Sequence, residues 1–234
     1  MNIAILSDLH ANKFAVKAVF DDLANFGVDQ ILIAGDLIGY YYWPSEVVQL
    51  CMQDNRVQCV KGNHELNLKK ALGSSIELSK LSEKYGASYR KCITDLSPTE
   101  IEWLISLPTE MTLKFDGISF FITHGSLRSI TEYLYPNSPN SQLLANYSNQ
   151  NFTIFGHTHH SFVHTHDCRH IINPGSVGQP RDVGNLASYA IVDTSSRTVR
   201  FQKVPFNVKE IISAVSVNDP SIPYLKEVLK RGCL

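Results

Sequence analysis

The chain has 234 residues, of which 44% are hydrophobic, with 21 Lys and Arg against 22 Asp and Glu for a formal net charge of −1. That apolar content can bury a large core, which excludes a mini-protein or a disordered tail. The near-zero charge leaves no global basic field to hold a nucleic-acid backbone, so a nucleic-acid partner is not expected.

The segment MNIAILSDLH carries an apolar run of four residues before Asp8 interrupts it, too short for a signal h-region or a membrane span. Cys51, Cys59, Cys92, Cys168 and Cys233 are odd in number and contain no Cys-x-x-Cys pair. A chain this size needs no disulfide staples, so the expectation is a reducing, cytoplasmic setting without membrane contact. Short runs rich in Ile, Val and Phe predict buried strands at residues 3–6, 30–34, 57–60, 118–123 and 153–155. Helical patterns at 13–25, stopped by Gly27, and at 45–52 separate the first three, implying right-handed crossovers and a largely parallel sheet. The middle reads as helical over 65–72 and 77–91. Ser97-Pro98-Thr99-Glu100 then forms a capping box, and Pro108 closes the helix that it opens. After Phe155, alternating runs at 162–166, 170–173, 188–193 and 198–204 predict a second, more antiparallel sheet. Two short helices around Pro220 and Pro223 follow from about 207. No repeat or linker divides the sequence, and a single domain over 1–234 is expected.

Nine histidines are the unusual feature of the composition; six fall between 157 and 170, and the others stand alone at 10, 64 and 124. Five predicted strands run into residues able to bind metal: Asp8-Leu9-His10, Gly35-Asp36, Gly62-Asn63-His64-Glu65, His124-Gly125 and Gly156-His157-Thr158-His159. Each alone reads equally as a cap, turn or loop. Their joint occurrence is hard to obtain structurally, because ligands of open α/β sheets gather outside the carboxyl ends of strands.

In order and spacing these five motifs resemble the calcineurin-like metallophosphoesterase superfamily, over roughly residues 1–204. The stretches from Gly35 to Tyr40 and from Asn173 to Arg181 resemble its small bacterial and archaeal phosphodiesterase branch, which includes diadenosine-tetraphosphate hydrolases. The resemblance implies an α/β fold with a two-sheet β-sandwich flanked by helices. It also implies two divalent metal ions, with Mn²⁺ as the first expectation and Fe or Zn²⁺ as alternatives. Asp8, His10 and His159 would bind one ion, Asn63, His124 and His157 the other, and Asp36 would bridge them. A phosphodiester or nucleoside polyphosphate would then be hydrolysed by a hydroxide bridging the metals. His64 would act on the leaving group, a role suited to a pKa near working pH. Arg181 and Asn63 are candidate substrate contacts.

Several readings stay open at this level. Glu65 either orients His64 or opens the next helix; Arg181 either takes a phosphate bidentately or supports its loop. Tyr40, Tyr41, Tyr42 and Trp43 either stack a nucleobase or pack beneath the crossover helix or in a dimer interface. His164 and His166 fit a surface strand better than a third metal site. Phosphomonoester hydrolysis, a nuclease using the same site, and a non-catalytic scaffold are the competing functions.

Overall fold

The computed structural model describes residues 1–232, so Cys233 lies outside the described residues. β1 (Asn2–Leu6) turns into α1 (Lys13–Leu23), whose first turn is capped by the Asn12 side chain accepting from the Ala15 N–H. β2 (Gln30–Ile33), α2 (Pro44–Gln53), β3 (Val57–Cys59) and α3 (Asn63–Gly73) complete a parallel β1-β2-β3 array with its crossovers. α4 (Ser75–Tyr85), α5 (Ser88–Asp95) and α6 (Pro98–Ser106) follow, and the last opens on the expected Ser97–Glu100 capping box. Next come β4 (Glu110–Phe115), β5 (Ile118–Thr123), α7 (Asn140–Leu144), β6 (Phe152–Ile154), β7 (Ser161–His166), β8 (Arg169–Pro174), β9 (Leu186–Asp193) and β10 (Thr198–Pro205). α8 (Lys209–Asn218) and α9 (Tyr224–Glu227) follow, and a 3₁₀ turn over Val228–Lys230 comes last. None of these is long and apolar enough to cross a membrane.

The strands form two five-stranded sheets, ordered β10-β9-β1-β2-β3 and β4-β5-β6-β8-β7, flanked by helices as expected. Strand alternation builds the sandwich. Ile3 and Ile5 of β1 face the space between sheets with Leu32, Ala34, Phe120, Ile122 and Ile154, while Ala4 and Leu6 face the helices with Val19, Ile31 and Ile33.

Three expectations are corrected. The four late strands do not make one sheet: β7 and β8 join the second, whereas β9 and β10 extend the first antiparallel to β1. Ala187, Tyr189 and Ile191 of β9 pack under the helices and Ala190 and Val192 pack between the sheets. Both faces of β9 are thus apolar, as a central strand requires. The helix predicted across 77–91 breaks at Gly86, which has φ +69° and lies against the Asp219 carboxylate. That carboxylate also accepts the Ala87 N–H at 3.0 Å. Finally, β4 escaped the sequence reading; it is an edge strand with Met111, Leu113 and Phe115 inward and charged or polar residues outward.

Candidate active site

The loops after β1, β2, β3, β5 and β6 meet at one end of the sandwich, joined by backbone bonds. The Asp8 N–H reaches the Gly35 carbonyl at 3.0 Å, the His10 N–H the Asp36 carbonyl at 3.0 Å, and the Gly156 N–H the His124 carbonyl at 2.8 Å. Asp8, His10, Asp36, His157 and His159 all adopt left-handed backbone, with φ between +49° and +66°, which turns each side chain sharply off its strand. Gly62 lets the third loop close on the second, since a Cβ there would overlap the Asp36 carboxylate.

The donor set is arranged by backbone carbonyls. Nδ1 of His10 lies 3.1 Å from the Ile38 carbonyl, that of His124 2.7 Å from Ala34, and that of His159 2.6 Å from Gln179. A carbonyl only accepts, so each Nδ1 carries a proton; Nε2 of His10 and of His159 then presents a lone pair inward, whereas Nε2 of His124 faces the Asp36 carboxylate at 3.1 Å. His10 Nε2 and His159 Nε2 nevertheless stand 3.1 Å apart, too close for two acceptors with nothing between them. Asp8 Oδ1 is 3.2 Å from His159 Nε2 and 3.6 Å from His10 Nε2, and is buried without a hydrogen bond among the described residues. On the other side His124 Nε2 lies 3.1 Å from Asn63 Oδ1, 3.2 Å from His157 Nδ1 and 3.1 Å from Asp36 Oδ2. Two groups of ligand atoms result, Asp8/His10/His159 and Asp36/His124/His157, and a third, His10/Asp36/His64, overlaps both. Converging imidazole, carboxylate and amide donors without thiolate fit divalent cations.

Charge tells the same story. Burial opposes ionisation of Asp8, but His159 and His10 hold its carboxyl well below the usual range. Asp36 is likewise held low, against burial, by His124 and His64. Burial also opposes charge on His124, yet Asp36 holds that imidazole up to about 10. The two carboxylates thus demand positive charge in a buried place. Burial pushes His157 and His159 down to about 4, which leaves them neutral, the form in which an imidazole can bind a metal.

His64 opens α3 beside this cluster, its Nε2 3.9 Å from Asp36 Oδ2. Burial pushes it down to about 3, far from the near-neutral value expected of a titrating acid, so it stands as a neutral imidazole. Arg181 joins Tyr40, Tyr85 and Tyr133 around the small cavity over the ligand atoms, with its Nε buried and without a partner among the described residues. Of the aromatic run, Tyr40 alone lines that cavity, edge-on to His10 at 4.7 Å. Tyr41 and Tyr42 are buried, bonding the Leu225 carbonyl and Asp219, and Trp43 packs on Phe14. His164 sits on β7 bonded to the Tyr147 hydroxyl, away from the cluster. Tyr85, Tyr89 and Tyr133 went unnoticed in sequence. Tyr133 stacks on His157 at 4.2 Å and Tyr89 bonds His64, but isolated tyrosines in helices and loops carry no motif.

This chain belongs to the calcineurin-like phosphoesterase superfamily, whose domain matches residues 1–197, and it is a hydrolytic enzyme of phosphate esters. It is similar to an uncharacterized protein of Methanocaldococcus jannaschii, 32% identical over 234 residues and covering 92% of each chain. It is similar also to the crystal structure of a metallophosphoesterase from Sphaerobacter thermophilus, with TM-score 0.75 and 31% identity over 92% of this chain and 93% of that one. Phosphodiesterase YfcE of Escherichia coli is 23% identical over 226 residues, covering 93% of this chain and 99% of its own.

Proposed function

We propose that the enzyme hydrolyses phosphodiester or nucleoside-polyphosphate bonds on two divalent ions, one held by Asp8, His10 and His159, the other by Asn63, His124 and His157, with Asp36 between them. The observation that carries this is the convergence of proton-free Nε2 atoms from His10 and His159 to 3.1 Å beside the Asp8 carboxylate, matched across Asp36 by the His124 group. Bound ions would supply Lewis acidity at the phosphoryl oxygens and an acidified water. Mn²⁺ is the first choice, with Fe or Zn²⁺ next. His64 offers an N–H to the charge growing on the leaving oxygen, and Arg181, whose Nε lacks a partner among the described residues, takes a phosphoryl oxygen. The name of YfcE supports the diester reading. Free Cys51, Cys59, Cys92 and Cys168 support a cytoplasmic setting.

A second reading is hydrolysis of a phosphomonoester, whose terminal phosphoryl group the small cavity over the ligand atoms, between Tyr40, Tyr85, Tyr133 and Arg181, would also meet. Metal-free protein reloaded with Mn²⁺, Fe²⁺ or Zn²⁺ and assayed on aryl monoesters, aryl diesters, cyclic nucleotides and dinucleoside polyphosphates separates the two. Asp36→Asn tests the shared mechanism: bound metal and turnover should collapse together. Wild-type turnover from a metal-depleted Asp36→Asn enzyme would sink it.

A further inference from the structure

His64 differs from its neighbours in what holds it. His10, His124 and His159 aim Nδ1 at backbone carbonyls, whereas His64 Nδ1 lies 2.8 Å from the side-chain hydroxyl of Tyr89, on α5. Both residues are buried, and their rings lie parallel within 6° at 5.8 Å between centroids. Gly39 makes room for this pairing, because a Cβ there would overlap His64 Nδ1.

A carbonyl dictates a tautomer, but a hydroxyl can give or take a proton, so the direction of this bond depends on what else meets the Tyr89 oxygen. The Asn67 side chain, one turn along α3 from His64, acts on that oxygen, but by distance and angle the hydroxyl's hydrogen-bond partner among the described residues is His64 Nδ1. With no second acceptor beside it, the hydroxyl proton goes to that nitrogen. The imidazole proton is then left on Nε2, the nitrogen nearer Asp36. Burial keeps the Tyr89 phenol protonated, well above its usual value, as a donor must be.

We propose that Tyr89 is a positioning residue: its hydroxyl donates to His64 Nδ1 and fixes the imidazole, in ring orientation and in tautomer, with Nε2–H facing the phosphate. This rests on the reading of His64 as the donor to the leaving oxygen. No proton needs to leave the imidazole, because a fixed N–H aimed at developing charge stabilises the transition state by hydrogen bonding alone.

Tyr89→Phe keeps the ring and removes only the hydroxyl. In ¹⁵N-histidine NMR of the metal-free protein, His64 should be in the Nε2–H form in wild type and a mixture of tautomers in Tyr89→Phe. In metal-loaded enzyme, kcat on alkyl esters should fall about 10-fold with KM and metal content little changed, and the loss should shrink on aryl esters with good leaving groups. In a His64→Ala background the same substitution should cost nothing further. Asn67→Asp, which pulls the hydroxyl proton away from His64, should turn the imidazole to Nδ1–H and lower kcat in the same pattern. It keeps the question open to test should Tyr89→Phe not fold. An unchanged tautomer ratio, or a loss equally large without His64, overturns the role of Tyr89. A wild-type rate for His64→Ala overturns the parent reading and takes the catalytic role of Tyr89 with it. A slowed His64→Ala beside an unaffected Tyr89→Phe removes Tyr89 alone.

Discussion

The Glu65 carboxylate holds the loop that carries Asp36. Oε2 accepts the Asp36 N–H at 3.0 Å and the Gly62 N–H at 2.6 Å, while Oε1 accepts Leu37 at 2.8 Å and Ile38 at 3.4 Å. One buried side chain therefore clamps the turn after β2 to the first turn of α3, so the ligand loops of two strands move as one.

Glu65→Gln should break this clamp, because an amide presents its own N–H groups to a cradle of donors. Leaving buried donors unsatisfied costs about 1–3 kcal/mol, and loss of support behind a metal ligand typically costs 10–100-fold in metal affinity. Thermal melts and metal titration check both; an unchanged metal affinity would contradict the clamp.

Arg181→Ala should leave bound metal at wild-type levels and lower kcat/KM about 10–100-fold, with Arg181→Lys recovering only part, since a lysine cannot offer two parallel N–H groups. Metal analysis beside steady-state kinetics reads this. Loss of metal in Arg181→Ala would make the residue a support for its loop instead.

Acid should weaken the metal-free protein before most carboxylates titrate. Burial holds His157 and His159 down to about 4 and His64 to about 3, against an ordinary 6.5, so between about 6.5 and 4 the unfolded chain binds protons that the folded one refuses. Their stabilisation is full above 6.5 and is lost as pH falls. Glu65, pushed up to about 7 by burial and Asp36, runs the other way and offsets about one of the three protons. His124, held up to about 10, contributes stability that is fully present below 6.5 and leaves only as pH rises through 10. The net is roughly two protons, or about 3 kcal/mol per pH unit at the steepest. Melts at pH 7, 6 and 5 should show a falling Tm, and a rise on acidification would contradict the assignment. Saturating metal should lift the whole curve, by about 4 kcal/mol at a thousandfold excess over Kd.

Adjacent tyrosines should behave oppositely. Tyr41 has no solvent exposure and bonds the Leu225 carbonyl, so Tyr41→Ala should cost about 3–5 kcal/mol of stability. Tyr40→Ala should melt closer to wild type but lose activity through the freed His10 and His64 rings, which it meets at 4.7 and 5.0 Å. Denaturant titration and kinetics on both variants distinguish them.

What was legible in sequence follows from range. β1, β2 and β5 announced themselves because buried strands ending in Gly, Asp or His are local signals, and the convergence of Asp8, Asp36, Asn63, His124 and His157 followed from strand ends meeting at one edge. The placement of β9 beside β1 was not local: the two strands pair antiparallel from Asn2↔Asp193 to Ile5↔Ala190, and only tertiary packing decides that register. The break at Gly86 is likewise set from afar, by Asp219, whose carboxylate accepts the Ala87 N–H. Glu65 and Tyr89 were opaque for the same reason, since their partners are backbone amides and a ring nitrogen on other elements.

Asp8, His10, Asp36, His157 and His159 sit in a backbone region that costs an ordinary residue about 1 kcal/mol or more, and that glycine enters freely. Substituting glycine at His10 or His159 would relax the chain while removing an imidazole proposed to hold metal. At these five positions, selection for a sturdier protein and selection for a working one pull in opposite directions.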